Sequence, residues 1–280
     1  MRTLKVLIDG LAFPEGPRWH DGKFYFSDMH AHQVLAVDMA GKREVICEVP
    51  NRPSGLGWLP DGRMLVVSMT DRKLMRLDRD GLKLLADMSK LAPFDCNDMV
   101  ADARGNAYVG NFGFDLHKND AQRVTTLVMV APDGVARVVA DDLMFPNGMV
   151  ITPDGKTLIV GESFGFRLTA FDIVADGSLA NRRVWANLQN RVPDGICLDA
   201  ENAIWVACPT ASEVIRVKQG GEVAERIKVE TDAFACMLGG PDGRTLFVAT
   251  SPTSDPEKCR AMRGGRIETT QVEVSRAGLP

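Results

Sequence analysis

Short apolar runs alternate with polar turns along the whole chain of 280 residues. In six places a turn containing Asp, Asn or Gly leads directly into a run of strand-forming residues. The six segments read "HDGKFYFSD" (20–28), "PDGRMLVVS" (60–68), "ARGNAYVGN" (103–111), "PDGKTLIVGES" (153–163), "AENAIWVAC" (200–208) and "PDGRTLFVAT" (241–250). Asp-Gly supplies the positive φ values that a tight hairpin needs. Each segment therefore predicts a turn followed by a β-strand.

The six segments recur at intervals of 40 to 50 residues, a period typical of repeat architectures. A second, weaker turn such as "DRDG" (78–81) follows most of them, so each unit has room for four short strands. Six such units predict an all-β, six-bladed β-propeller of four-stranded blades, a single domain over residues 1–280. Two sandwich domains would not explain the sixfold recurrence. The run "LKVLID" (4–9) is expected to close the ring as the outermost strand of the last blade, and no amphipathic helix is expected.

One position of the repeat is occupied by candidate functional residues. It lies seven residues before each turn, or six in the shorter first unit, in a bend ahead of the innermost strand. In chain order it is occupied by Glu15, Ser54, Asn97, Asn147, Asp194 and Ala235. In a propeller these positions converge near the central channel. The alternative is that the adjacent glycines serve only turns, which explains any one position but less well the four strong oxygen ligands among six.

Two carboxylates and two amide oxygens, from Glu15, Asp194, Asn97 and Asn147, form an oxygen-only set that suits one divalent cation. Ca²⁺ is favoured, with Mg²⁺ or Mn²⁺ as alternatives. Cysteines adjoin two of the six positions, and a thiolate ligand would shift the preference towards Zn²⁺ or Fe²⁺. For both of these cysteines, Cys96 and Cys236, a role as a small buried hydrophobe is the favoured interpretation.

Composition narrows the classes of function. Hydrophobic residues make up 45% of the chain and charged residues 25%, which is ordinary for a globular protein with a sizeable core. The net charge of −4 gives no electrostatic reason to expect nucleic acid as a partner. No apolar run is long enough to cross a bilayer, and the N-terminal segment lacks the apolar core of a signal peptide. We therefore expect a cytoplasmic protein, a monomer or small homo-oligomer, with reduced cysteines and no membrane partner.

Three motifs resemble one known family. "FPEGPRW" near the N-terminus, "FPNGMVITPDGKTLIV" in the middle and "VPDGICLDAENAIWVA" later are similar, in this order and spacing, to the SMP-30/gluconolactonase/luciferin-regenerating family. The resemblance implies a six-bladed propeller with one divalent cation at the channel mouth. It also implies that the metal ligands are Glu15, Asn97, Asn147 and Asp194. Asp194 is implied to act as general base or nucleophile as well.

The resemblance implies lactone hydrolysis on a small-molecule lactone. A cation with open coordination positions can polarise a lactone carbonyl, and Asp194 can deprotonate or orient a water. Two alternatives stay open. One is a different metal-dependent reaction in the same site, such as organophosphate hydrolysis or isomerisation. The other is a non-enzymatic calcium-binding propeller.

One departure from the family bears on the substrate. Sugar-lactone members carry an arginine two residues before the equivalent of Asn97, whereas this chain has Asp95. The segment "GNFGFD" nearby is expected to contribute aromatic residues to the channel mouth and to favour a less polar ring than gluconolactone. The candidate substrate-binding residues are Asp98, Phe112, Phe114 and Asp115. His30 and His32, by contrast, are expected to be exposed on a connecting turn.

Overall fold

The computed structural model describes residues 2–116, 118 and 120–280 and consists of six four-stranded antiparallel sheets. From the innermost strand outwards, blade 1 consists of β2 (Pro14–His20), β3 (Lys23–Asp28), β4 (Gln33–Val37) and β5 (Arg43–Glu48). Blade 2 consists of β6 (Pro53–Trp58), β7 (Met64–Ser68), β8 (Lys73–Asp78) and β9 (Gly81–Asp87). Blade 3 consists of β10 (Cys96–Ala101), β11 (Ala107–Asn111), β12 (Thr125–Val130) and β13 (Ala136–Leu143). Those of blades 4 and 5 are β14 (Pro146–Ile151), β15 (Thr157–Glu162), β16 (Arg167–Ile173) and β17 (Leu179–Asn187); and β18 (Ile196–Leu198), β19 (Ile204–Cys208), β20 (Glu213–Val217) and β21 (Val223–Lys228).

The sixth blade joins the two ends of the chain. Its strands are β22 (Asp232–Gly239), β23 (Thr245–Ser251), β24 (Gly265–Gln271) and, outermost, β1 (Lys5–Leu11). Strand β1 pairs antiparallel with β24. The innermost strands contact one another in sequence, and β22 contacts β2 to complete the circle. The predicted six-bladed propeller, closed by the N-terminal strand, is confirmed.

The blades are held together by apolar side chains between neighbouring sheets. Phe24 of blade 1 stacks on Phe247 of blade 6, with ring centroids 4.3 Å apart. Trp19 stacks on the same ring at 5.7 Å. Trp205 and Tyr108 are fully buried in blades 5 and 3. Burying aromatic rings between sheets stabilises the ring of blades because each ring removes a large apolar area from water.

One α-helix, α1 (Pro256–Met262), follows β23 and was not expected from the sequence. Asp255 caps it by accepting hydrogen bonds from the backbone N–H groups of Glu257 and Lys258. A helix of seven residues is too short to show a hydrophobic period, but the Asp-Pro pair at its start is a recognisable N-terminal signal. In the described part of the chain, every helix is too short or too polar to cross a membrane.

The C-terminal segment crosses the channel end at which the innermost strands finish. Leu279 exchanges two backbone hydrogen bonds with Ile151, the last residue of β14. Ala277 donates to the carbonyl of Leu198, the last residue of β18. The opposite end of the channel, where the innermost strands begin, holds the positions that the repeat alignment singles out.

Candidate metal centre

A cavity of about 590 Å³ lies at the end of the channel where the innermost strands begin. Residues from all six blades line it. The four predicted cation ligands, Glu15, Asn97, Asn147 and Asp194, are all among them. They come from blades 1, 3, 4 and 5, so they meet only in the folded ring. The convergence expected from the repeat is therefore present in the structure.

Irregular strand pairing places these side chains in the channel. The register shifts between Glu15 and Arg18 in β2, and again between Cys96 and Met99 in β10. Strand β14 has the same irregularity beside Asn147. A bulge re-aims the side chain at its position. Each of these three ligands therefore departs from the regular alternation of side chains near the start of its innermost strand.

The glycines that follow the ligands have a packing role. A Cβ on Gly148 would lie 2.5 Å from the backbone nitrogen of Ile196 and 2.6 Å from the carbonyl oxygen of Asp194. A Cβ on Gly195 would lie 2.6 Å from the Cα of Ala235. Gly148 and Gly195 both lack a positive φ, so neither serves as a left-handed turn residue. They allow adjacent innermost strands to approach closely enough for the oxygen ligands to meet.

Gly148→Ala is expected to destabilise the protein by about 1–3 kcal/mol and to weaken cation binding, because the new methyl group pushes β14 away from Asp194. Gly161→Ala in the neighbouring strand is the matched control, since the nearest atoms to its Cβ would lie at 3.5 Å. Urea denaturation and calorimetric cation titration of both variants measure the two effects. Equal behaviour of the two variants would contradict the packing role.

The two carboxylates are electrostatically strained without a cation. Burial raises the pKa of Asp194 to about 8, and a hydrogen bond from Asn147 opposes part of the rise. Burial, followed by repulsion from Asp194, raises the pKa of Glu15 well above its usual value. Glu15 accepts one hydrogen bond, at 3.0 Å, from the backbone of Gly16. A divalent cation between two such carboxylates would offset their mutual repulsion and stabilise both in the ionised form.

The two amides are also suited to holding a cation. The Nδ2 of Asn147 donates to the Ser163 hydroxyl at 3.2 Å, which orients the amide. Asn97 is only 6% exposed, and its Nδ2 has no hydrogen-bond partner among the described residues. A cation would be bound by the Oδ1 of each amide, whereas the unpaired Nδ2 of Asn97 is a donor that can bind a water or a substrate oxygen. The donor set of two carboxylates and two amides therefore fits a hard divalent cation.

Within the described ranges, no group of three or more His, Cys, Asp and Glu side chains is placed to hold a metal. The candidate set has two carboxylates, so it depends on its two amides. Cys96 and Cys236 are buried, and burial raises the pKa of the Cys96 thiol to about 12. A thiol that stays protonated at neutral pH is a poor ligand. Their burial agrees with the interpretation of both as small core residues.

The four candidate substrate residues are placed differently. Phe112 lines the cavity. Phe114 is buried behind the wall against Phe145, with ring centroids 5.7 Å apart. Asp115 accepts a hydrogen bond from the backbone of Lys118 at 3.1 Å. The structure assigns Asp98 to an ion pair with Arg18, at 2.7 Å, rather than to the cavity lining.

Sequence reasoning missed a second ring of lining residues. The residue two positions before five of the six aligned sites lines the cavity: Phe13, Arg52, Asp95, Phe145 and Val192. The same alignment that found the ligands could have found them, but only Asp95 was singled out. The expectation that His30 is exposed was wrong. His30 is 3% exposed, stacks on Phe13 at 5.0 Å and lines the cavity.

The fold and the site together define a six-bladed β-propeller with a cluster of side-chain oxygens at one mouth of its channel. The chain belongs to the SMP-30/gluconolactonase/LRE-like family, whose model matches residues 13–252. Regucalcin from Xenopus laevis is 25% identical over 281 aligned residues, covering 96% of this chain and 94% of that protein.

Two solved structures show the same fold. A calcium-binding protein, regucalcin, from Agrobacterium tumefaciens superimposes with a TM-score of 0.83 at 22% identity, covering 100% of this chain and 97% of that one. A gluconolactonase from Xanthomonas campestris superimposes with a TM-score of 0.76 at 23% identity, covering 99% of this chain and 89% of that one.

Proposed function

We propose that this protein is a metal-dependent hydrolase that opens a lactone ring. The observation that carries the proposal is the position of Glu15, Asn97, Asn147 and Asp194 together on the wall of one cavity. Membership of a family that includes gluconolactonases supports the reaction class. The regucalcin relatives, one of them described as calcium-binding, support Ca²⁺ as the cation.

In this reaction the four residues have two roles, binding the cation and accepting a proton. Glu15, Asn97, Asn147 and Asp194 would hold the cation, which supplies polarisation of the lactone carbonyl and stabilisation of the negative charge that develops on it. Asp194, oriented by its hydrogen bond with Asn147, accepts a proton from the attacking water. Water adds to the carbonyl carbon, the ring C–O bond breaks, and the proton passes to the departing alkoxide.

The size of the cavity favours an enzyme over a calcium-binding scaffold. A bare cation needs only its ligands and a few waters, whereas about 590 Å³ is the volume of a small-molecule site. Phe112, Phe145 and Phe164 line this space and contribute nothing to cation binding. A different metal-dependent hydrolysis in the same cavity is the second candidate, because the same residues would serve it.

The test is proton release from sugar, aliphatic and aromatic lactones by chelator-stripped protein, before and after single divalent cations are added back. Turnover that returns with one cation would support the proposal and identify the metal. If the cation binds but no lactone is opened, the proposal of lactone hydrolysis is wrong, and the same loaded protein is then assayed with phosphotriesters.

The apparent affinity for Ca²⁺ is expected to rise about tenfold or more between pH 6 and pH 7 and to level off above pH 8. Burial raises the pKa of Asp194 to about 8 in the cation-free protein, so below that pH Ca²⁺ must displace a proton. The raised pKa also means that the cation-free protein loses stability as the pH rises from about 4 to 8. Calorimetric titrations at three pH values measure the affinity, and a constant Kd would contradict the prediction.

A further inference from the structure

The cavity has aromatic walls on two opposite sides. On the side of blades 3 and 4, Phe112 stacks on Phe145 with ring centroids 4.3 Å apart and planes at 16°. Phe164 meets Phe145 edge-on at 5.1 Å. We call Phe112, Phe145 and Phe164 the aromatic wall. On the side of blades 1 and 6, Phe13 packs edge-on against Phe234 at 4.7 Å.

The aromatic wall is rigid before any ligand arrives. Phe145 is nearly buried, and Phe114 packs behind it and behind Phe164, at 5.7 and 5.6 Å. The rings of Phe112 and Phe164 therefore rest on buried rings and line the cavity. A preformed apolar surface binds an apolar ring without the cost of ordering side chains.

Three of the remaining polar lining residues, Ser163, Asp232 and Thr253, already form hydrogen bonds within the protein. The Ser163 hydroxyl donates to the Pro193 carbonyl at 2.7 Å. Asp232 accepts from the Ser212 hydroxyl at 2.9 Å. The Thr253 hydroxyl accepts from the backbone of Asp255 at 3.1 Å. A sugar lactone needs a partner for each hydroxyl that it buries, because an unpaired buried hydroxyl costs binding energy.

We propose that this cavity takes a lactone with an aromatic or alkyl substituent, in preference to a polyhydroxylated lactone, and that Phe112 and Phe164 determine the preference. The proposal rests on the proposed lactone hydrolysis. A cation held by Glu15, Asn97, Asn147 and Asp194 would take the carbonyl end, which every lactone shares, and the aromatic wall would receive the substituent. Specificity therefore arises from the wall, whereas the bond-breaking step arises from the ligand set.

Three lactones of the same ring size test the proposal: dihydrocoumarin, δ-valerolactone and glucono-δ-lactone, each assayed by proton release with the Ca²⁺-loaded protein. We expect kcat/KM for dihydrocoumarin to exceed that for glucono-δ-lactone by about 100-fold. Dihydrocoumarin also releases a phenolate, a better leaving group than an alkoxide, so the contribution of the wall is measured by the wall variants and not by this ratio alone. Phe112→Ala and Phe164→Ala should each lower kcat/KM about tenfold for dihydrocoumarin and by a smaller factor for δ-valerolactone, which has no substituent to place on the aromatic wall. Phe164→Leu, which keeps most of the side-chain volume, is the control for unfolding of the Phe164→Ala variant.

Phe166→Ala is the matched control, because Phe166 lies two residues from Phe164 but is 37% exposed and outside the cavity lining. Equal losses for dihydrocoumarin and δ-valerolactone, or faster opening of glucono-δ-lactone, would overturn the proposal. A binding measurement tests the role of the aromatic wall separately from the proposed hydrolysis. If no lactone is opened, NMR saturation transfer from protein to dihydrocoumarin that weakens in Phe112→Ala supports the apolar wall while the proposed hydrolysis fails; no transfer overturns both.

Discussion

Asp194→Asn is expected to lower lactone turnover about 10³-fold while the propeller stays folded. The substitution keeps the size of the side chain and its contact with Asn147, but it removes the proton acceptor and one of the two anionic cation ligands. It also removes a carboxylate whose pKa burial raises to about 8. Because ionising that carboxylate in the cation-free protein costs free energy, the cation-free variant should be at least as stable as the wild type above pH 8.

Asp232→Asn is the matched control for this substitution. Asp232 lines the same cavity but lies outside the ligand set and accepts a hydrogen bond from Ser212. Turnover by this variant should stay close to that of the wild type. If turnover by Asp194→Asn with Ca²⁺ bound stays within tenfold of the wild type, Asp194 is not the proton acceptor in the reaction. Loss of Ca²⁺ binding in a protein that opens no lactone would indicate a binding propeller instead.

The repeat made the fold and the candidate ligands predictable. Asp-Gly turns and strand runs follow local rules, and their sixfold recurrence defines both the number of blades and their closure. Glu15, Asn97, Asn147 and Asp194 could be found together because a propeller brings equivalent positions of all blades to one axis. The register of the repeat, which is visible in the sequence, is sufficient to identify these four positions.

The rest of the site depends on packing across blades, which local patterns do not encode. The rigidity of the aromatic wall arises from Phe114 and Phe145, which are distant in sequence and meet behind Phe164. The partner of Asp98 is Arg18, in a different blade and 80 residues away. A carboxylate beside a candidate ligand suggests substrate binding when read from sequence, but packing pairs it with a buried guanidinium.

Arg18→Met is expected to lower the free energy of unfolding by about 3–5 kcal/mol. Arg18 is 3% exposed and connects three innermost strands. It donates to the carbonyl of Leu56 in β6 at 2.8 Å, and to the carboxylate of Asp98 and the carbonyl of Met99 in β10. Removing the guanidinium leaves the buried Asp98 carboxylate without its counter-charge, and a buried unpaired charge costs more than the pair contributes. Urea denaturation measures the loss.

Two further variants identify the cause of that loss. Arg63→Met breaks a pair of similar geometry, 2.6 Å from Asp61, but on the exposed surface, so little change is expected. Arg18→Met combined with Asp98→Leu removes both buried charges and should recover part of the stability, because no charge is then left unpaired. If the double variant were less stable than Arg18→Met alone, the carbonyl contacts of Arg18 would carry its role, and the ion pair with Asp98 would be incidental to holding the three blades together.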